Sequence, residues 1–462
     1  MNREKYISEL NEIKASEDFQ QKAVTLLKNP PSRKEPQKKK RPLRLVLVPA
    51  LAVVLVCALL FSGALFPLNT VSASENLMSG IQANKVNTDE PVSKDFIRRT
   101  QDFSVKLFQK SVTKGRNSLV SPVSVSLALG MTANGADGET RKQFENVLGG
   151  GMDIGELSRN YSVFANRLKS IQSGKLQIAN SIWYRDKNLT VEKGFLQKNA
   201  DYFGAGAFQL DFTKRSTVDK INGWVKENTG GKIGKMVDKI DDTTMMYLIN
   251  TLYFESDWQI PYADYRVSDK EFQTTDKKVT VPFMNSEETY LHGENADGIL
   301  KSFQDDRYAF AAVLPKEGVG LEEYVAQMTG ESFSALLASA GDETADCSLP
   351  KFKYEFSVGL NDPLKALGLT DAFDSGRADF RSMGSTPDGK LFISDVLHKT
   401  FIQVDELGAK AGAATKVEMG ASSAAPGAEK KKVIFNRPFV YAIVDVQTGL
   451  PVFIGTVNNP KE

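Results

Sequence analysis

Two histidines, His292 and His398, and two cysteines, Cys57 and Cys347, are the whole stock of imidazole and thiol in 462 residues. That inventory bounds the chemistry before any fold is considered. Neither CxxC nor HExxH occurs, so the spacings that build thiolate or helix-borne imidazole metal sites are absent from the sequence. No GxSxG sets a serine nucleophile on a strand-to-helix turn. His398 therefore reads as a satisfied structural histidine rather than a general base. No metal, no cofactor and no catalytic residue is expected, and the chain is not read as an enzyme. Cys57 lies inside an apolar run, which argues against a Cys57–Cys347 bridge. Stability has to come from a core rather than from disulfides.

The stretch that does ask for an explanation is Glu406–Phe435, ELGAKAGAATKVEMGASSAAPGAEKKKVIF. Loops longer than about 12–15 residues are usually functional or disordered. At a two-residue period the first half sorts into two faces: Ala409, Ala411, Ala413, Thr415, Val417 and Met419 against Lys410, Gly412, Ala414, Lys416 and Glu418. Such alternation describes a half-buried strand. Alanine and glycine are poor strand formers, however, and these faces are too small to anchor an edge. The segment fits two states, an exposed loop and a thin strand slipped into an existing sheet. Lys430–Lys432 reads as a solvated edge.

These residues need a scaffold to position them. Apolar content of 41% with 25% charged residues is ordinary for a globular chain, and a net charge of +1 gives no reason to expect nucleic acid. Residues 1–44 are polar, with a short amphipathic helix expected near Tyr6–Leu27, and end in a basic cluster. Leu45–Phe66 is 22 residues without a charge, long enough to span a bilayer as a helix. The reading is a basic cytoplasmic segment (1–44), an anchor (45–68) touching the membrane through residues 45–66, a linker (69–92) and one large domain (93–462). Basic residues before the span place the domain outside the cell or at its surface. The rival is a signal peptide cut after Ala73, giving a secreted protein.

Within the domain, Phe96, Phe103 and Leu107 recur at helical intervals. Ser121 can cap a helix that has Pro122 at its first position. That helix is apolar on most sides and belongs under a sheet. A further helix carries Phe144, Val147 and Leu148, and another carries Val218, Ile221, Trp224 and Val225, the last ended by Gly230-Gly231. Trp224 reads as core. Strands are expected at Leu176–Tyr184, with Asn180 at its middle, and at Thr244–Trp258. Others are expected at Tyr308–Leu314, Leu349–Tyr354, Leu391–Ile393, Pro438–Val446 and Leu450–Thr456. Helices come mostly first and strands mostly last, which favours an α+β fold.

Several motifs stand in a specific order. They are Asn117-Ser-Leu-Val-Ser121-Pro122-Val-Ser124, Gly135-Ala-Asp-Gly138-Glu-Thr140, Ile221-Asn-Gly-Trp224-Val225 and Asn250-Thr-Leu-Tyr-Phe254 with Trp258. Then follow Leu349-Pro350-Lys-Phe352-Lys-Tyr354, Ala378-Asp379-Phe380, Ile393-Ser394-Asp-Val-Leu-His398-Lys399, the Glu406 loop and Arg437-Pro438-Phe439. Together they resemble the serpins, here of a bacterial type with an N-terminal membrane anchor, from about Ser93 to Pro460. The resemblance implies three β-sheets, eight or nine helices and an exposed reactive loop near the C-terminus. It implies a monomeric, irreversible suicide-substrate inhibitor of serine proteases, whose loop enters the main sheet after cleavage.

Carried over residue by residue, the resemblance makes Glu406 and Gly408 the hinge, Gly408 through its backbone freedom. Ala409, Ala411, Gly412, Ala413, Ala414 and Thr415 become the inserting run. Ser121, Ser124, Asn250 and His398 match the polar cluster where the main-sheet strands part, and Trp258 matches the residue under the point of entry. Family spacing puts the reactive bond at Ser422–Ser423, flanked by Ala421 and Ala424. Such small residues suit elastase-like or subtilisin-like serine proteases, with papain-like cysteine proteases as alternative targets. Leu407, Ala409 and Lys410 depart from the usual Lys or Arg, Thr or Ser, and Glu. A non-inhibitory serpin-like binding module and a membrane-tethered protease sensor are the alternative functions. A charged residue on the inserting face would favour the first, and the length of the 1–44 segment keeps the second open.

Overall fold

The computed structural model describes residues 75–462 apart from 89, 172, 187–188, 388–390 and 410–430. The segments 1–44 and 45–68 lie outside the described residues. So do Ala411 to Thr415, Ala421 to Ala424, and Ala73. No helix among the described residues is long and apolar enough to cross a membrane.

Helix α1 (Lys94–Ser111) starts because Ser93 Oγ accepts the Phe96 amide, with Asp95 in the first turn. It buries Phe96, Phe103 and Leu107, while Arg98 and Arg99 turn out to pair with Asp95. Helix α2 (Pro122–Ala133) is capped by Ser121, carries proline in its first turn and is buried on every side. Its small residues let it lie against the underside of a sheet. The third helix (Gly138–Gly149) ends on Gly150 in the left-handed conformation. Nine α-helices and three sheets occur among the described residues.

In chain order the strands begin with β1 (Ser118–Val120), β2 (Lys175–Arg185), β3 (Thr190–Val191), β4 (Gly206–Leu210), β5 (Met246–Asp257) and β6 (Val267–Gln273). They continue with β7 (Lys278–His292), β8 (Ala296–Ser302), β9 (Tyr308–Pro315), β10 (Thr344–Pro350), β11 (Phe352–Gly359) and β12 (Gly384–Ser385). The last are β13 (Asp395–Val404), β14 (Gly408–Ala409), β15 (Lys431–Ile434), β16 (Phe439–Asp445) and β17 (Pro451–Val457). A nine-stranded sheet runs β1-β17-β16-β9-β8-β7-β10-β15, with β6 on β7. A six-stranded sheet runs β11-β13-β14-β5-β2-β4, and β3 pairs with β12. The core lies between the two large sheets, where Tyr354 of one meets Tyr441 of the other, hydroxyl to hydroxyl, at 2.6 Å.

Two expected strands are corrected. Leu391–Ile393 is not a strand: both side chains drop singly into the core, and the strand begins at Asp395. Leu349–Tyr354 is two strands, because the chain leaves one sheet at Pro350 and joins the other at Phe352. The described part of the linker lies along β4, where the Leu77 amide donates to the Ala207 carbonyl and Lys220 pairs with Glu75. Cys347 is a free, buried thiol pushed up in pKa by burial, hence inert.

Candidate functional site

The six-stranded sheet holds the site in the seam between β5 and β13. At its lower end the two strands pair directly and in parallel, from Asp395 opposite Tyr247 to His398 opposite Asn250. The ladder stops there. Above it, Thr251–Glu255 of β5 is paired only with β2, and Lys399–Gln403 of β13 only with β11, among the described residues. At the top, β14 stands between them, antiparallel to both, with Ala409 opposite Val404 on one side and Ser256 on the other. The result is a slit with strand edges on both sides, closed below and wedged above. The void beside Ala409 measures about 10 Å³, room for one water at most, so a longer insert requires the strands to part.

A cluster of polar side chains seals the lower end. Asn180, Asn250 and His398 lie side by side on β2, β5 and β13. Asn250 Nδ2 donates to the Ser124 carbonyl at 2.7 Å and to Asn180 Oδ1, while Ser124 Oγ donates to Asn250 Oδ1. The Ser121 amide, at the N-terminus of α2, donates to His398 Nε2 at 3.0 Å. That bond makes the imidazole neutral, with its proton on Nδ1. His398 is 1% exposed, and Nδ1 has no hydrogen-bond partner among the described residues. Burial pushes its pKa down to about 4. These bonds tie the start of α2 to β2, β5 and β13 and form a latch across the seam.

The upper end is a turn built around Asp405. Its carboxylate accepts the Leu407 amide at 3.0 Å, its amide donates to the Gly408 carbonyl at 3.1 Å, and the chain reverses. The Trp258 indole donates to the Asp405 carbonyl at 2.8 Å. The Trp258 and Tyr262 amides donate to the Leu407 and Glu406 carbonyls at 2.8 and 2.9 Å. Glu406 pairs with Lys351 at 2.6 Å. Burial works to raise the Glu406 carboxyl, but the Lys351 hydrogen bond and the local amide outweigh it, and the group sits below its usual range.

A Cβ at Gly408 would run into the Ser256 carbonyl oxygen and the Asp257 backbone, so glycine also permits the close approach of the chain to β5. Ala409 is 2% exposed and fills the slit's mouth.

Ser121, Ser124, Asn250 and His398 are thus brought into one bonded group, and at the opposite end Trp258 bonds Asp405 and Leu407 of the turn that carries Glu406, Gly408 and Ala409. Trp224 packs edge-on against Trp183. The reactive bond Ser422–Ser423 lies outside the described residues, as does the run Ala411–Thr415. The segment's two ends lie in different sheets: Ala409 in β14, Lys431 in β15 parallel to β10. Sequence reasoning missed Asn180, Asp405 and Lys351. An asparagine in the apolar run LQIANSIWY was a signal for the first. For Lys351 nothing local could signal a partner in a distant segment.

Residues 98–460 match the sequence profile described as Serpin (serine protease inhibitor). A serpin-like protein of Thermococcus kodakarensis is 28% identical over 381 residues, covering 81% of this chain and 88% of that one. The structure of tengpin, a thermophilic serpin, in its native state superposes with a TM-score of 0.79 at 44% identity, covering 83% of this chain and 99% of the other. Its latent-state structure gives 0.71 at 44% identity over 80% and 98%.

Proposed function

The chain belongs to the serpin family, a family of protease inhibitors, and from that premise we propose that it is an irreversible suicide-substrate inhibitor of serine proteases. The observation that carries the reading is the slit. Among the described residues, two facing strand edges lack a partner between Thr251 and Glu255 and between Lys399 and Gln403, and the reactive segment's root is already seated at their head. Unpaired strand edges are templates for strand addition. Small inward side chains on Ala409, Ala411 and Ala413 limit the overpacking that entry would cause. A target protease attacks near Ser422–Ser423 and becomes acylated; the freed segment then zips down the slit, opens the His398 latch and carries the protease with it. Small residues at 421–424 favour elastase-like or subtilisin-like targets.

The charge-free run Leu45–Phe66 behind a basic cluster supports a membrane anchor that holds the domain outside the cell. Membrane fractionation of the full chain against a version lacking residues 1–68 tests that placement: anchoring requires loss of the membrane fraction in the shortened form.

The inhibitor reading is tested by incubating residues 75–462 with pancreatic elastase and with subtilisin, followed by a denaturing gel. A band of summed mass that survives SDS is expected. Loop cleavage with fully active protease remaining rules the inhibitor out.

A further inference from the structure

The connection from β5 to β6 donates three hydrogen bonds to the hinge: two amides, from Trp258 and Tyr262, and the Trp258 indole. The Trp258 and Tyr262 rings lie against one buried cation. Lys301 of β8, its side chain 4% exposed, places its ammonium 5.5 Å from the Trp258 ring centre and 4.5 Å from that of Tyr262. Glu288 of β7 holds it at 2.6 Å and is itself 10% exposed. The Trp258 ring also stacks on Phe303 at 4.6 Å, two residues beyond Lys301. Ser286 Oγ donates to the Tyr262 hydroxyl at 3.3 Å.

A buried lysine is rare, and a buried ion pair seldom stabilises a fold more than apolar residues of the same volume would. Its best-attested use is to fix one arrangement where several would pack. Here the arrangement is specific. One of the three ammonium donors points to Glu288, and the positive charge is left to face two aromatic rings, whose electron-rich faces attract it. A methionine could fill the space, but it would not orient two rings at once. Those two ring-bearing residues accept no role in the latch at His398; their hydrogen bonds go to Asp405, Glu406 and Leu407.

We propose that the Lys301–Glu288 pair is a positioning device that keeps the uncleaved hinge docked at the head of the slit, so that insertion waits for cleavage. The inference rests on the loop-insertion reading above, and it names the residues that time it. Nothing in it requires contact with a protease.

The test compares full-length protein with Lys301→Met/Glu288→Gln and with Lys301→Arg, held without protease below the melting temperature. Conversion to a loop-inserted form is read as a more thermostable species whose 410–430 segment resists nicking. Activity is followed relative to each variant's own starting value. The double variant is expected to convert about tenfold faster, the rate equivalent of a lost cation–π contact, and Lys301→Arg at nearly the wild-type rate. If the double variant does not fold, Glu288→Gln alone carries the test, with a smaller acceleration expected. Conversion at the wild-type rate in these variants, or Lys301→Arg converting as fast as the double variant, overturns the proposal. A wild-type protein that never traps a protease would sink the inhibitor reading instead, and the conversion rates would still be readable.

Discussion

The His398 level and the Ala409 level of one seam hold the same pair of strands in opposite ways. Below, β5 and β13 touch, bonded backbone to backbone and locked by Asn250, Ser124 and the Ser121 amide. Above, they are held apart by two residues with almost no side chain. The closed level is polar and hydrogen-bonded across the seam; the open level is small and apolar. On the proposed insertion mechanism, the two levels act on the barrier in different ways. A hydrogen-bonded polar group under a sheet costs most to open, because every donor and acceptor must be unmade out of reach of water. A glycine and an alanine cost little to move past.

The sharpest way to break the contrast is to make the open level impassable. Ala409→Arg puts a charge at a position that is 2% exposed, between Val404 and Ser256. The expected outcome is complete loss of the SDS-stable protease band, with the loop still cut and the protease still active. A persisting band would show that entry does not pass through Ala409.

Opening the closed level should cost stability instead. Asn250→Leu removes the donor to Ser124 and Asn180 and leaves their acceptors buried. Two or three unsatisfied groups at 1–3 kcal/mol each give an expected loss of about 3–5 kcal/mol. The midpoint of urea unfolding measures it, and a shift of less than about 1 kcal/mol would mean that the latch is not where the strands are held.

The same level should respond to acid. His398 is held neutral, with a pKa of about 4 against a usual 6.5. A folded state that refuses the proton is stabilised relative to the unfolded chain wherever the unfolded histidine stays neutral, above pH 6.5. As pH falls from 6.5 to about 4 the unfolded chain gains a proton first, and stability is lost through that window, amounting to about 3 kcal/mol at 1.36 per unit. Below pH 4 this contribution is spent. Denaturation measured across pH 4–7 in wild type and in His398→Asn should show the slope in the first and a shallower one in the second. Equal slopes would remove His398 from the acid response.

How far this contrast could be read from the sequence depends on the level. The upper one was visible in the alternation of Ala409, Ala411 and Ala413, because side-chain size at a two-residue period is a local property. The cap of α2 was equally local, and Ser121 lies where its spacing from Pro122 put it. Strand β13 was not visible. Its inward positions include His398 and Thr400, both buried, which broke the apolar alternation and moved the expected strand back to Leu391–Ile393. The latch itself joins four segments of chain, and no local pattern announces such a meeting; the motifs carried it only by resemblance.

The smallest expected effect marks where the contrast ends. Glu406 and Lys351 form an ion pair at 2.6 Å, but their side chains are 33% and 27% exposed. Solvent screens a pair so placed, and holding two long side chains in register offsets much of its attraction, so its worth should be about 0.2–1 kcal/mol. Glu406→Gln keeps the size of the side chain and the three hydrogen bonds that Trp258 and Tyr262 donate to the hinge carbonyls, which do not depend on its charge. Thermal unfolding should therefore move little, and less still in high salt. A loss comparable to that of Asn250→Leu would mean that the hinge is held by its charge rather than by its backbone. The open level would then be a second latch, and the two ends of the seam would differ in kind less than their hydrogen bonds imply.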